Sequence, residues 1–137
     1  LTDAFPYRQT PVRGVNLGGW LVLEPFITPS LFERFDPEDK VIDEWTMCAK
    51  LGRDECRKVL EKHYNEFLTE DDIKKIAGAG LNHVRIPLGY WALDIDETKE
   101  PFVYGAWYYL LRGIQWARKY GIRVMVEFHG APGSQNG

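Results

Sequence analysis

Arg123-Val124-Met125-Val126-Glu127-Phe128-His129 is the stretch that decides the fold. Side chains alternate faces along an extended chain, so Val124, Val126 and Phe128 share one side while Met125, Glu127 and His129 share the other. His83-Val84-Arg85-Ile86-Pro87-Leu88 repeats the pattern, with His83 and Arg85 opposing Val84 and Ile86. An apolar face for covering helices, set against a polar face ending in titratable groups, suits a (β/α)8 TIM barrel. Chemistry in such a barrel gathers at the C-terminal ends of parallel strands.

Working outward, a first strand is expected over Arg13 to Leu17, running into the Gly18-Gly19 turn. Pro25, Pro29 and Pro37 make Glu24 to Asp39 mostly loop, with at most a helical turn. A short helix is predicted over Asp43 to Leu51. From about Asp54 a longer one follows, with Cys56, Val59, Leu60, His63, Tyr64, Phe67 and Leu68 on an amphipathic stripe. Thr69-Glu70-Asp71-Asp72 reads as a capping box before Ile73, Ile76 and Ala77, with Gly78 and Gly80 ending that helix. Trp107, Leu110, Leu111, Ile114 and Ala117 mark the buried stripe of another helix. Arg112, Gln115 and Lys119 fall on its wet side, and Gly121 caps it. Long helical crossovers imply parallel strands in right-handed βαβ units. Strand order alone does not separate a barrel from an open doubly wound sheet; the polar strand faces favour the barrel, of which these residues supply about the first three strands.

With 45% hydrophobic and 27% charged residues, the 137-residue chain has the make-up of a single globular segment. A net charge of −3 gives no basic footprint for nucleic acid or an anionic membrane. No run of about 18 apolar residues suggests a bilayer span. Leu1 to Pro6 lacks the charged and apolar regions of a signal peptide, which a mature secreted protein has in any case lost. Five Trp, seven Tyr and seven Phe are the unusual term, since rings serve a core and also suit the flat faces of sugars. No phosphate-cradling G-x-G-x-x-G or P-loop occurs, Ser134 is not in a nucleophile elbow, and no metal or cofactor constellation is present.

Each candidate residue has a structural and a functional reading. Arg85 either pairs with Glu127 across adjacent strands or serves a site. His129, at a strand end before Gly130-Ala131-Pro132-Gly133, favours a site role. His63, on an apolar helical stripe, reads as packed. Glu24 sits in a loop beside Trp20 and Phe26. It is either solvated or a sugar-binding carboxylate, since two acceptor oxygens suit vicinal hydroxyls and a ring suits a C–H face. Cys48 and Cys56 flank Gly52, and either bridge that turn or remain free thiols.

Three motifs carry a resemblance. Arg13-Gly14-Val15-Asn16-Leu17-Gly18-Gly19-Trp20-Leu21-Val22-Leu23-Glu24-Pro25 with Thr28-Pro29-Ser30-Leu31-Phe32 is similar to the opening of fungal exo-β-1,3-glucanases in family five of the glycoside hydrolases. Leu81 to Ala92 and His129 to Gly137 resemble the same family's second and third strand ends. The resemblance implies a retaining glycosidase releasing glucose from β-1,3-glucan, using two glutamates held roughly 5 Å apart. It places the acid/base in an Asn-Glu-Pro segment after strand four and the nucleophile at the end of strand seven; these residues contain neither, and Glu24 and Glu127 are no substitutes.

By the same resemblance, Glu24 and His129 bind hydroxyls of the glucose in the −1 subsite and Arg85 orients the nucleophile. Trp20 and Phe26 are weaker candidates for pocket walls. The resemblance also implies a secreted or cell-wall setting, a laminarin-type oligosaccharide as ligand, and the remainder of the barrel as a necessary partner. An incomplete barrel leaves open strand edges and apolar faces, so the chain alone is expected to self-associate or to need that complement. Rival readings are a non-catalytic β-glucan-binding module, a related family-five glucosidase acting on disaccharide glucosides, and an open-sheet protein taking a phosphate at the Gly130 loop.

Overall fold

The computed structural model describes residues 3–133. Three parallel strands, β1 (Gly14–Asn16), β2 (His83–Gly89) and β3 (Arg123–Gly130), lie in the order β1-β2-β3. Between them run helices α1 (Pro29–Phe32), α2 (Glu44–Leu51), α3 (Arg53–Glu66), α4 (Glu70–Gly78) and α5 (Ala106–Lys119). Sequential parallel neighbours joined by helical crossovers are the arrangement expected from the strand patterning, and it is consistent with part of a barrel. Among the described residues no strand pairs with the outer edge of β1 or of β3.

Val84, Ile86 and Leu88 of β2 enter a core with Leu60 and Tyr64 of α3, Ile73 of α4, and Leu110 and Ala117 of α5, all nearly sealed from solvent. β2 runs through Pro87 to Gly89. The register with β1 ends at the Asn16–Arg85 pair, so Pro87 lies past the last paired position on that side, where a missing N–H is tolerated. Pro29 and Pro37 likewise do not prevent helical turns. Each occupies the first turn of its own short helix, where an amide has no helical partner to lose.

α2 begins at Asp43, whose carboxylate accepts from the Thr46 amide at 2.7 Å. α4 begins at Thr69, whose N–H and hydroxyl both donate to Asp72. It is Gly80, at φ +83°, that turns the chain out of α4, while Gly78 is its last residue. Gly52, at φ +77°, reverses the chain between α2 and α3, and the Cys48–Cys56 disulfide staples that corner with a Cα–Cα distance of 5.0 Å. Of the two readings of the cysteines, the bridged one holds.

The buried stripe of α5 is rotated from the one expected. Ala106, Tyr109, Leu110, Gly113 and Ala117 face inward, whereas Trp107 and Leu111 are exposed. Trp20 causes this: its ring presses against Gly113, where a Cβ would lie 2.8 Å from it, so the glycine side of α5 must face the core. Arg112 is also not a wet-side residue. Its guanidinium stacks on Tyr109 and Trp116 and donates to Asn65 at 2.9 Å.

Candidate functional site

The face of the sheet opposite the helices carries one connected polar row. Asn16 of β1 stands in register with Arg85 of β2, and its Oδ1 accepts from Arg85 Nη1 at 2.9 Å. Arg85 Nη2 pairs with Glu127 Oε2 of β3, also at 2.9 Å. The same Glu127 oxygen meets His129 Nδ1 at 2.9 Å, His129 being the residue left over where the register shifts between the Leu88–Phe128 and Gly89–Gly130 pairs. The row is partly hydrated, with side chains of Arg85, Glu127 and His129 exposed by 37%, 29% and 31%. Glu24 joins at the β1 end: its Oε1 accepts from the Gly19 amide at 3.2 Å. Gly18 lies between it and Asn16, where a Cβ would crowd both Asn16 Nδ2 and Glu24 Oε1.

The opposite end of the sheet is closed. His83 is buried under Phe5, ring edge to ring face at 4.7 Å, and its Nδ1 bonds Asn82 Oδ1 at 2.6 Å. Burial pushes its pKa down, and the nearby Arg123 adds to the effect. Polar alternation had grouped His83 with Arg85; the N-terminal segment takes it out of the open row.

Beside the C-terminal strand ends a second, smaller core forms around Trp91, stacked on Phe102 at 4.3 Å with Val22 and Ile95 packed about them. The Trp91 ring lies over Gly89 and Gly130, where a Cβ would sit 2.4 Å and 2.6 Å from it. Any side chain at those two positions collides with the ring, so the glycines are what allow a tryptophan to cap β2 and β3. Glu44 of α2 ties this cluster to the loop after β1. It is sealed from water and accepts from Trp91 Nε1 at 2.9 Å and from the Leu23 amide at 3.3 Å. Burial raises its carboxyl to about 7.

Of the residues singled out from sequence, Glu24, Arg85 and His129 do lie along one open face, and the Arg85–Glu127 pairing is formed. Trp20 is a correction: it is fully buried, donates from Nε1 to the Tyr64 carbonyl at 3.0 Å, and has no surface to offer a ligand. Phe26 is 81% exposed on the loop. His63 is packed as expected, with Nε2 donating to the Gly19 carbonyl at 2.7 Å and burial lowering its pKa. Asn16 was missed, although its spacing from Gly14 along an alternating strand puts it on the Arg85 side. Glu44 was missed too, because no local pattern marks a helix-start carboxylate as buried.

Ser134, Gln135, Asn136 and Gly137 of the third motif lie outside the described residues. Among the described residues no helix is long and apolar enough to cross a membrane. A cleft of about 440 Å³ lined by Ile27, Pro29, Leu31, Val59, His63 and Phe67 shares no residue with the polar row. Chemically, the row offers carboxylate and imidazole acceptors backed by a guanidinium. That set suits hydroxyl recognition, while the carboxylates in it are engaged by amide, guanidinium or imidazole groups.

No family model matches the chain. All 137 residues are 53% identical to a "probable glucan 1,3-beta-glucosidase D" of Aspergillus terreus, covering 16% of that protein. Over 134 residues the chain is 53% identical to a glucan 1,3-beta-glucosidase of Blumeria graminis, covering 31% of it. A crystal structure of rutinosidase from Aspergillus niger superimposes on 96% of the chain with a TM-score of 0.82 and 32% identity, the match covering 36% of that structure. The resemblance read from the three motifs therefore holds across the whole chain, which spans between 16% and 32% of the length of the curated relatives it matches.

Proposed function

We propose that this chain forms part of a retaining glycoside hydrolase that releases glucose from the non-reducing end of β-1,3-glucan. It contributes sugar-binding residues, and the remainder of a (β/α)8 barrel contributes the two catalytic glutamates. The observation that carries this reading is the bonded row of Asn16, Arg85, Glu127 and His129, with Glu24 beside its β1 end across Gly18. The 53% identity to proteins named glucan 1,3-beta-glucosidases supports it.

In this reading Glu24 and His129 accept hydrogen bonds from hydroxyls of the bound glucose, Arg85 holds the nucleophile's carboxylate, and exposed Phe26 stands at the mouth of the pocket. The two glutamates lie roughly 5 Å apart, one protonating the leaving oxygen while the other attacks the anomeric carbon. Barrel closure completes the open edges of β1 and β3 and covers Val126 and Phe128, which are 46% and 60% exposed. The Cys48–Cys56 bridge supports placement in an oxidising, secreted or cell-wall setting.

Laminarin hydrolysis by the complete protein is the test. Release of glucose that falls at least about tenfold on His129→Ala is expected, as for loss of a hydrogen bond to a partly charged network. Absence of hydrolysis sinks the reading. A second reading, cleavage of disaccharide glycosides, is favoured by the likeness to rutinosidase. Assaying both substrates on one preparation separates them, and the higher identity to the glucan enzymes puts laminarin first.

A further inference from the structure

Glu127 is not part of the proposed sugar contact, yet both charged or polar partners in the row converge on one of its oxygens, Arg85 Nη2 and His129 Nδ1 each at 2.9 Å. A carboxylate paired to a guanidinium has only acceptor positions, so the imidazole nitrogen facing it must carry the hydrogen. In the neutral ring that leaves Nε2 unprotonated, with its lone pair directed away from Glu127. The arrangement is the one by which a carboxylate behind a histidine fixes both ring orientation and tautomer at a functional site.

We infer that Glu127 is a positioning residue that holds His129 as an acceptor toward the ligand. This deepens the proposed function and rests on it. With Nε2 accepting, His129 and Glu24 present acceptors at the two ends of the row, so the matching ligand must offer hydroxyl hydrogens at both. A saturated sugar ring with free hydroxyls meets that demand; a glycoside whose hydroxyl is blocked at the His129 contact does not. Because Glu127 also pairs with Arg85, it ties the histidine to the guanidinium that the proposal assigns to the nucleophile.

Glu127→Met in the complete protein separates these roles. Methionine keeps the length of the side chain but removes both oxygens, so His129 Nδ1 loses its acceptor and the neutral ring goes over to the Nε2–H form, which converts the acceptor into a donor. Imidazole 15N correlation spectra should show Nδ1–H in the parent protein and Nε2–H in the variant. KM for laminari-oligosaccharides should rise about tenfold, the loss expected for one charge-linked hydrogen bond, and by a larger factor than kcat falls. Glu127→Asp, which keeps the acceptor, should restore the Nδ1–H form and recover part of the KM. The inference is overturned by an Nε2–H ring in the parent protein, by an unchanged tautomer in Glu127→Met, or by a switched tautomer with unchanged KM. A parent protein that does not hydrolyse laminarin sinks the functional reading instead, while the tautomer spectra still decide what Glu127 does to His129.

Discussion

At its central strand the sheet has two faces built on opposite terms. On one, Val84, Ile86 and Leu88 are 1%, 1% and 4% exposed beneath α3, α4 and α5. On the other, Asn16, Arg85, Glu127 and His129 hold one another in partly hydrated contact. Alternation puts both sets on neighbouring residues, so the contrast comes from what covers each face. The covered face gains its stability from apolar area removed from water. The open face spends charge where solvent still reaches, and exposed pairs of that kind add little to folding. Alternate residues of one strand thus carry stability on the covered side and, in the proposed function, recognition on the open side. Substitutions on the two faces should therefore fail in different assays.

The largest expected effect lies where the closed side meets the strand ends. Trp91→Ala removes a fully buried ring, its stacking on Phe102 and the hydrogen bond to Glu44. A loss of about 3–5 kcal/mol is expected for such a deletion, read as a lower urea midpoint. Gly130→Ala should also destabilise, because its Cβ enters the space of the same ring. A Trp91→Ala protein with an unchanged midpoint would show that this cluster does not belong to the closed side at all.

Glu44 is the next. Its folded carboxyl is raised from 4.5 to about 7 by burial, with the neighbouring Asp43 adding a repulsive contribution. Tyr64, packed nearby, is pushed upward by its own burial and by Glu44. The native state thus keeps a proton that the unfolded chain has already released. Stability from this group is fully present below pH 4.5 and is lost as pH rises to about 7, amounting to ~3 kcal/mol. Subtracting the stability curve of Glu44→Gln from that of the parent should expose this slope; a flat difference across the window means the carboxyl is not buried in solution.

Much of this contrast was legible in the sequence, because period-two patterning needs only the strand itself. The facing of Val84 against Arg85, and of Val126 against Glu127, follows from alternation alone. The caps of α2 and α4 were readable for a similar reason, each being settled within four residues. What escaped depended on distant partners. α5 carries more apolar residues than one stripe holds, and the ring of Trp20 against Gly113 selects which of them face inward. The same long-range contact turned an apparent pocket-wall tryptophan into core. His83 left the open row only because Phe5, far away in sequence, covers it.

The Cys48–Cys56 bridge sets a middle case, on the covered side but remote from the sheet. It closes a short loop of eight residues in separation, and both cysteines are almost wholly buried. Replacing both with Ala should cost about 2–3 kcal/mol, mostly through the greater freedom of the unfolded chain. The same shift should appear in the parent protein on reduction. Oxidised and reduced forms with equal urea midpoints would place the α2–α3 corner outside the cooperative unit.

The smallest effect on stability should come from the centre of the open face. Arg85 is 37% exposed, its partner Glu127 is 29% exposed, and its remaining bond is to Asn16 at the sheet edge. Solvent screens such a pair, so Arg85→Met should change stability by less than about 1 kcal/mol. Ile86→Ala, the adjacent residue on the covered face, should cost about 2–5 kcal/mol. In the complete protein the ranking should invert for laminarin hydrolysis: Arg85→Met abolishes turnover while the folded protein remains, and Ile86→Ala reduces the amount of folded enzyme with turnover per folded molecule retained. If the two neighbours lose stability equally, the polar row is structural. Its charges would then be part of what holds the sheet together, and the division of labour between the faces would fail at the pair of residues where it is sharpest.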